Sequence, residues 1–587
     1  MLQRKPFSGS ARKLVLGIDI GTTYAGMSYC LLEPNKVPEI SPVTRFPAQD
    51  HVGGDSKVPS VVYYDRSGMV RACGAEALQE SVVEQAVEER WEKAEWFKLH
   101  LRPSTGVSIL PLSLPPLPRN KSALEVFADF LHYLFHCARS YITDSYPNGG
   151  ALWIGLEGNM EFVLTHPNGW EGKQQAKMRK AAIMAGLIPD TPSGHQRIRF
   201  VTEGEASLHF CIMNGLATDP LRLGNGVVII DAGGGTVDIS AYRKLTTPKG
   251  ETFEEIAPPQ CLFVGSIFVS NRAGEYLRTK LRGSRYAGDV EHIRDCFDKT
   301  TKPRFRRTNE WQYIKFGRPG DNSEGLNITN GQLKLEGEIV ATFFKPSLDA
   351  ILYAVENLSA LSPVSSVLLV GGFGASDWLY SELKSHLIFQ RLDVSRPDSH
   401  VNKAVADGAV SFYLDHFVSV RVSKHTSGIE IITPYISTDT EHCARVKSAL
   451  RDAAGELMLP KMFSAILHKN TRVSETREYR ASYHLLRNDK SELWAVEIPI
   501  RCYQGQRQTP SWMDVESQQY RVLCTVYADT SKIAKTLQRK MGLNGAYYRL
   551  EIDVVLSFGL TELKAQIAWI ENGVEKRGPA QLVYEQV

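Results

Sequence analysis

Two short stretches of this chain share one pattern, and that pattern limits the fold more than anything else in the sequence. In "KLVLGIDIGTTYAGMSYCLLE" (13–33) and again in "VVIIDAGGGTVDIS" (227–240), an apolar strand ends beside an acid, a glycine turn carrying threonine follows, and a second apolar strand leaves. Apolar and β-branched runs on both sides of a turn signal read as a hairpin. The acid stands two residues before the first turn glycine in both copies: Asp19 before Gly21, Asp231 before Gly233. One glycine hairpin is only a tight turn. Two of them, each with a carboxylate at the end of a buried strand, suggest duplicated lobes closing on one ligand. Consecutive glycines let backbone N–H groups approach an anion, and threonine hydroxyls add donors. A carboxylate beside a bound phosphate finds its partner in hydrated Mg²⁺. A third glycine loop, Gly371, Gly372, Phe373 and Gly374, follows the apolar run "SSVLLV" (365–370). No GxxxxGK[ST] occurs, nor a GxGxxG after a strand, so the two common phosphate-loop classes are excluded.

Strand and helix patterns alternate to about residue 415, which predicts an α/β architecture. "EFVLTHP" (161–167) reads as a buried strand ending at Pro167; 122–142, 171–187 and 377–387 have apolar residues at helical spacing. "RWEKAEWFKLHL" (90–101) is expected to be a helix packing Trp91 and Phe97. From about 418 the texture changes to alternating stretches such as "YRLEIDVVLSF" (548–558) and "LKAQIAWI" (563–570), which predict a separate, mainly β domain. Helical patterns there are limited to "TSKIAKTLQRKM" (530–541) and an inserted amphipathic helix over 441–452. Residues 103–121 and 317–331 read as loops, the second as a flexible excursion.

At 587 residues the chain exceeds what one core serves, and 43% hydrophobic with 23% charged residues is ordinary for a soluble globular protein. A net charge of +3, with no evident stripe of Lys/Arg and aromatics, gives no case for a nucleic-acid partner. The nine cysteines form no CxxC pair and no Cys/His cluster at zinc spacing, so they read as reduced residues of a cytoplasmic or nuclear protein. His209, His292 and His442 stand alone and read as surface or core residues rather than ligands. The start lacks the apolar region of a secretory signal, and no apolar run approaches the roughly 20 residues that cross a bilayer.

Taken in order, "GIDIGTTYAG", "VPSVVYYDRSG" (58–68), "VTEGEASLHF" (201–210), "DAGGGTVD" and "VLLVGGFGAS" resemble the actin, sugar-kinase and heat-shock ATPase superfamily. Within it the chain is most similar to the 70-kDa heat-shock chaperones, especially their divergent, lidless fungal relatives. "SGIEI" (427–431), "ILHKNTRVSETREY" (466–479), "CYQGQR" (502–507) and 548–567 resemble successive pieces of that family's peptide-binding β-sandwich. The resemblance implies a flexible tail (1–13), a two-lobed actin-like ATPase domain with ribonuclease H-like lobes (14–415, second lobe from about 226), and a β-rich peptide-binding-like domain (419–587) with no α-helical lid. It implies ATP/ADP and Mg²⁺ as cofactors, and unfolded or extended polypeptide as client; it names no co-chaperone, and no membrane is expected.

By the same resemblance Asp19 and Asp231 hold Mg²⁺ through water, while Gly21, Thr22, Thr23, Tyr24, Gly233, Gly234, Gly235 and Thr236 cradle the β- and γ-phosphates. Glu203 helps to position water and metal, and Asp238 is the second acid of its loop. The lysine beside the γ-phosphate is Lys98 in preference to Lys93. Gly265 and the Gly371–Gly374 loop serve the nucleoside, with Phe373 a candidate to hold adenine where the family has a stacking arginine. "KTTKPRFRR" (299–307) falls near the ribose side and reads equally as nucleotide contact or solvated face. The family's leucine-rich acidic linker is replaced by "DHFVSVRVSKHTSG" (415–428), which leaves coupling between the domains open. Three functions compete: a chaperone-like ATPase; a nucleotide-binding regulator or scaffold with little hydrolysis; and a small-molecule kinase, which leaves the C-terminal β region unexplained.

Overall fold

The computed structural model describes residues 4–52, 57–103, 114–170, 172–216, 226–247, 250–397, 403–474, 477–559 and 562–582. The chain is a mixed α/β protein with several sheets. It divides into two compact units, Met1–Trp170 with Lys177–Val418, and Glu171–Ala176 with Ser419–Val587.

In the first unit the early hairpin is β1 (Lys13–Ile20) with β2 (Tyr24–Leu32). β1 also pairs in parallel with β3 (Met160–His166), which pairs in parallel with β4 (Ile198–Thr202). Central parallel strands are covered on both faces, so every residue of β1 after Lys13 is buried and the run is apolar rather than alternating. The second hairpin repeats the plan. β5 (Gly226–Ala232) is antiparallel to β6 (Val237–Thr247), with Asp231 directly opposite Asp238, and β6 continues antiparallel to β7 (Gly250–Leu262). On its other side β5 runs parallel to β8 (Val364–Val370), which runs parallel to β9 (Asp393–Ser395).

Helices close both sheets. α1 (Ala123–Ser145) opens on a capping box, Ser122 accepting from the Glu125 N–H while the Glu125 side chain returns to the Ser122 N–H. Its apolar stripe, with Phe127, Phe130 and Leu134, joins the core under the first sheet. α2 (Glu203–Met213) leaves the end of β4, and α3 (Ser266–Lys280) follows β7. α4 (Gly337–Leu361) and α5 (Asp377–Leu387) supply Phe344, Leu348 and Leu383 to the core of the second sheet. α6 (Ala404–Asp415) crosses α2 in backbone contact: a Cβ on Gly408 would lie 1.8 Å from the Ala206 carbonyl oxygen. Ahead of β1, Arg4 is tied to Asp415 at 2.8 Å and the Phe7 N–H to the Lys36 carbonyl at 2.8 Å.

The second unit is two antiparallel sheets. One has the order Leu450–Arg451, β11 (Leu457–Leu467), β10 (Thr426–Pro434), β13 (Ala495–Tyr503), β14 (Tyr520–Asp529). The other has the order β12 (Glu478–Arg487), β15 (Gly545–Gly559), β16 (Glu562–Glu571), Val574–Arg577. Their inner faces share one core, including Ile429, Leu467, Ile500, Val526, Val554 and Ile567, as packed sheets require.

Several expectations are corrected. Residues 90–101 are not a helix: Glu92–Glu95 is a strand paired with Val61–Tyr64, Trp96 turns the chain at φ 53°, and Phe97–Leu101 is a 3₁₀ turn. The helix over 441–452 shrinks to Thr440–Ala444, and that at 530–541 to Ser531–Thr536. Residues 317–331 include an ordered β segment, Ile328–Thr329, in a small sheet. Of the loop 103–121, residues 104–113 lie outside the described residues. Among the described residues no helix is long and apolar enough to cross a membrane.

Candidate functional site

The two hairpin turns are built alike. The Gly21 N–H donates to the Tyr24 carbonyl at 3.0 Å, and the Gly233 N–H to the Thr236 carbonyl at 2.9 Å. The turns also meet. A Cβ on Gly234 would lie 2.4 Å from Thr23 Oγ1, and one on Gly235 2.4 Å from Thr22 Oγ1, so these two positions admit glycine alone.

Each turn has its carbonyls engaged from behind. Ser60 binds the first, its Oγ donating to the Gly21 carbonyl and its N–H to the Thr23 carbonyl, both at 2.9 Å. The first turn of α3 binds the second: the N–H groups of Gly265, Ser266 and Ile267 donate to the carbonyls of Gly235, Gly233 and Gly234 at 3.2, 3.1 and 3.0 Å. No hydrogen bond is donated by the amides of Thr22, Thr23, Gly234 or Gly235 among the described residues. Amides held in this way form a concavity for an anion.

Beneath the turns lie four buried carboxylates. Asp19, at the end of β1, accepts from Thr165 Oγ1 on β3 at 2.9 Å and pairs with Lys57 at 3.2 Å. Asp231 accepts from Ser207 Oγ on α2 at 2.7 Å. Asp238 accepts from the Asn168 N–H at 2.5 Å, and its Oδ2 has no partner among the described residues. Glu203, first residue of α2, pairs with Lys98 at 2.5 Å. Burial, then the charge of Glu203, pushes Asp231 up to about 7 and Asp238 well above the carboxylate range. Burial also raises Glu203, against the pull of Lys98. Burial alone would lower Lys98, but Glu203 and Asp19 outweigh it and hold the ammonium charged.

Four carboxylates face two ammonium groups, an excess of two negative charges when all are ionised. Among the described residues no three His, Cys, Asp or Glu groups converge closely enough to hold a bare ion. A divalent cation held through water therefore fits the donor set, and the unpartnered Asp238 Oδ2 supplies an acceptor for such water.

The structure brings Asp19, Lys98, Glu203, Asp231 and Asp238 together. Lys93 stays outside, on the strand Glu92–Glu95, paired with Glu95. Tyr24 is an exposed flank of the first turn, and Gly265 is the N-cap through which α3 meets the second. The third loop reaches the cluster from β8: the Phe373 N–H donates to the Ala232 carbonyl at 2.8 Å, and Gly371, at φ 85°, is close enough that a Cβ would meet Asp231 Oδ1 at 2.4 Å. Gly372 is exposed and Gly374 buried. Phe373 is corrected: its ring stacks on Phe344 inside the core and is not offered to a base. Lys302 of the 299–307 segment is spent on Asp298 and Ser270. Of the lone histidines, His209 stacks on Phe417, His442 lies against Trp512, and His292 meets the Phe316 carbonyl.

Sequence reasoning missed Lys57, Ser60, Thr165, Asn168 and Ser207, which position the acids and turns. Each is a single polar residue without periodicity; only adjacency to a recognised stretch, as with Ser60 in "VPSVVYY", could have flagged it.

The chain is 23% identical over 512 residues to heat shock 70 kDa protein 12A of Mus musculus, covering 72% of this chain and 73% of the relative. Identity is the same, over the same length, with that protein of Homo sapiens, and 23% over 505 residues with human heat shock 70 kDa protein 12B. The chain is thus similar over most of its length to proteins named as 70-kDa heat-shock proteins. No family model matches it.

Proposed function

We propose that the first unit is a two-lobed, actin-like ATPase domain, with one lobe around each of its two large sheets. It binds ATP or ADP with Mg²⁺ between the two turns and hydrolyses ATP, and the second unit takes extended polypeptide. One observation carries the reading: two acid-bearing hairpins with turns built alike meet over a buried cluster with an excess of two negative charges.

In this reading the amides and hydroxyls of Thr22 and Thr23, with the amides of Gly234, Gly235 and Thr236, bind the β- and γ-phosphate oxygens. Asp19 and Asp231 would hold Mg²⁺ through water, and the ion, when bound, neutralises phosphate charge. Lys98, oriented by Glu203, places an ammonium beside the γ-phosphoryl group. Asp238 Oδ2 takes a hydrogen bond from the attacking water and accepts its proton as the oxygen bonds to phosphorus in line with the leaving ADP oxygen. Catalysis is positioning and charge stabilisation, as in other phosphoryl transfers.

Calorimetry on the full chain is expected to show Mg·ATP binding, and phosphate release to fall at least 100-fold in Asp231→Asn. No Mg·ATP binding by the wild type would overturn the reading. The short Lys98–Glu203 pair favours one variant of it, a nucleotide-binding regulator with little turnover. Binding with equally slow phosphate release from wild type and Asp231→Asn would select that variant. For the second unit, ATP is expected to change the affinity of the full chain for a labelled unfolded peptide; no peptide binding in either state would remove the chaperone claim.

A further inference from the structure

The segment 299–318 carries seven Lys/Arg and a single acid, Glu310, in a chain whose net charge is only +3. Residues 312–335 fold into a small antiparallel sheet of strands Gln312–Lys315, Gln332–Leu335 and Ile328–Thr329. Alternation along the strand puts Tyr313 and Lys315 on one side, with Ile314 buried on the other, and Trp311, the residue before the strand, is exposed as they are. Lys334 is the cross-strand partner of Tyr313 and sits 4.1 Å from the Trp311 ring centroid, so it shares that face. Trp311 and Tyr313 are 46% and 51% exposed, unusual for two large aromatic side chains only two residues apart.

The nearby cations are only partly neutralised. Arg306 pairs with Asp377, Arg307 with Glu310, and Lys302 with Asp298. Lys299, Arg304, Lys315 and Arg318 are exposed and have no ion pair among the described residues. Two rings spaced two residues apart on an open sheet face, interleaved with lysines and bordered by arginines, offer flat surfaces to bases and cations to a backbone. An acidic polypeptide would use the cations but not the paired rings. We propose that this face binds single-stranded nucleic acid, two successive bases stacking on Trp311 and Tyr313 while Lys315, Lys334 and Arg304 meet phosphates. The chain-wide charge hid this, because the remainder of the sequence carries a slight excess of acids.

The test is fluorescence anisotropy of the full chain with a labelled 15-nucleotide oligouridylate and, separately, a labelled polyglutamate of equal length. Oligouridylate is expected to bind, and to weaken about tenfold or more between 50 and 200 mM salt as counterions are released. The double variant Trp311→Ala/Tyr313→Ala is expected to lose at least tenfold in affinity while melting as the wild type does. Lys315→Glu is expected to weaken binding and flatten the salt dependence. Polyglutamate binding as tightly as oligouridylate would assign the face to an acidic protein instead. No oligouridylate binding at 50 mM salt, or equal binding by the double variant, would overturn the proposal.

Discussion

Asp231 and Asp238 stand opposite each other on one face of a buried hairpin, where two ionised carboxylates repel. Without a cation the fold responds by holding protons: burial and Glu203 push Asp231 up to about 7. Its ordinary value in the unfolded chain is about 4. A folded value above the unfolded one means that the bound proton stabilises fully below pH 4, and that this contribution is lost as pH climbs through about 7. Melting without Mg²⁺ or nucleotide is therefore expected to fall between pH 5 and pH 8, Asp231 accounting for at most about 4 kcal/mol. Asp231→Asn should flatten that fall, and Mg·ADP should restore stability most above pH 7. A wild-type midpoint unmoved over this range would refute the assignment. At this scale the sequence exposed the acids through their place before the glycines. It hid what holds them, because Thr165, Asn168 and Ser207 reach Asp19, Asp238 and Asp231 from other elements.

Two glycines separate what the elements do. Gly265 lets the first turn of α3 lie on the second glycine turn; a Cβ there would come within 2.4 Å of the Gly234 carbonyl oxygen and 2.7 Å of that of Gly233. Gly408 lets α6 cross α2 at Ala206, in contact with helix backbone rather than with a glycine turn. Gly265→Ala is expected to weaken Mg·ATP at least tenfold with a small change in melting. Gly408→Ala is expected to cost about 2–3 kcal/mol of stability through overpacking, with affinity nearly kept in the folded fraction. Circular-dichroism melts and calorimetry on both variants check this, and equal affinity losses would show that the crossing also serves the site. The hairpins were legible because turn chemistry and apolar flanks are contiguous. Residues 90–101 were misread because Glu92–Glu95 becomes a strand only through its distant partner Val61–Tyr64. The 441–452 helix fails for a similar reason: Arg445, just past its end, is drawn to Asp514 and the Trp512 ring.

At the scale of the whole molecule, each unit has its own core. Leu134 and Phe162 belong to one in the first unit, Val228 and Phe344 to another, and Ile500 and Val554 to the core of the second unit. The change of texture near residue 418 was legible as a shift from mixed to alternating patterns. The assignment of residues 171–176 to the second unit was not, because those residues continue a helical pattern. Separate cores predict two calorimetric transitions, and a ligand held by the first unit moves only that unit's transition. Ligand at 100 times its dissociation constant adds about 2.7 kcal/mol. For a unit of roughly 400 residues, with an unfolding entropy of about 2.1 cal/mol/K per residue, that is a shift of about 3 °C. Scanning calorimetry with and without Mg·ADP makes the measurement. One transition shifting as a whole would mean that the units unfold together; a shift confined to the second transition would place the nucleotide outside the paired turns and overturn the site.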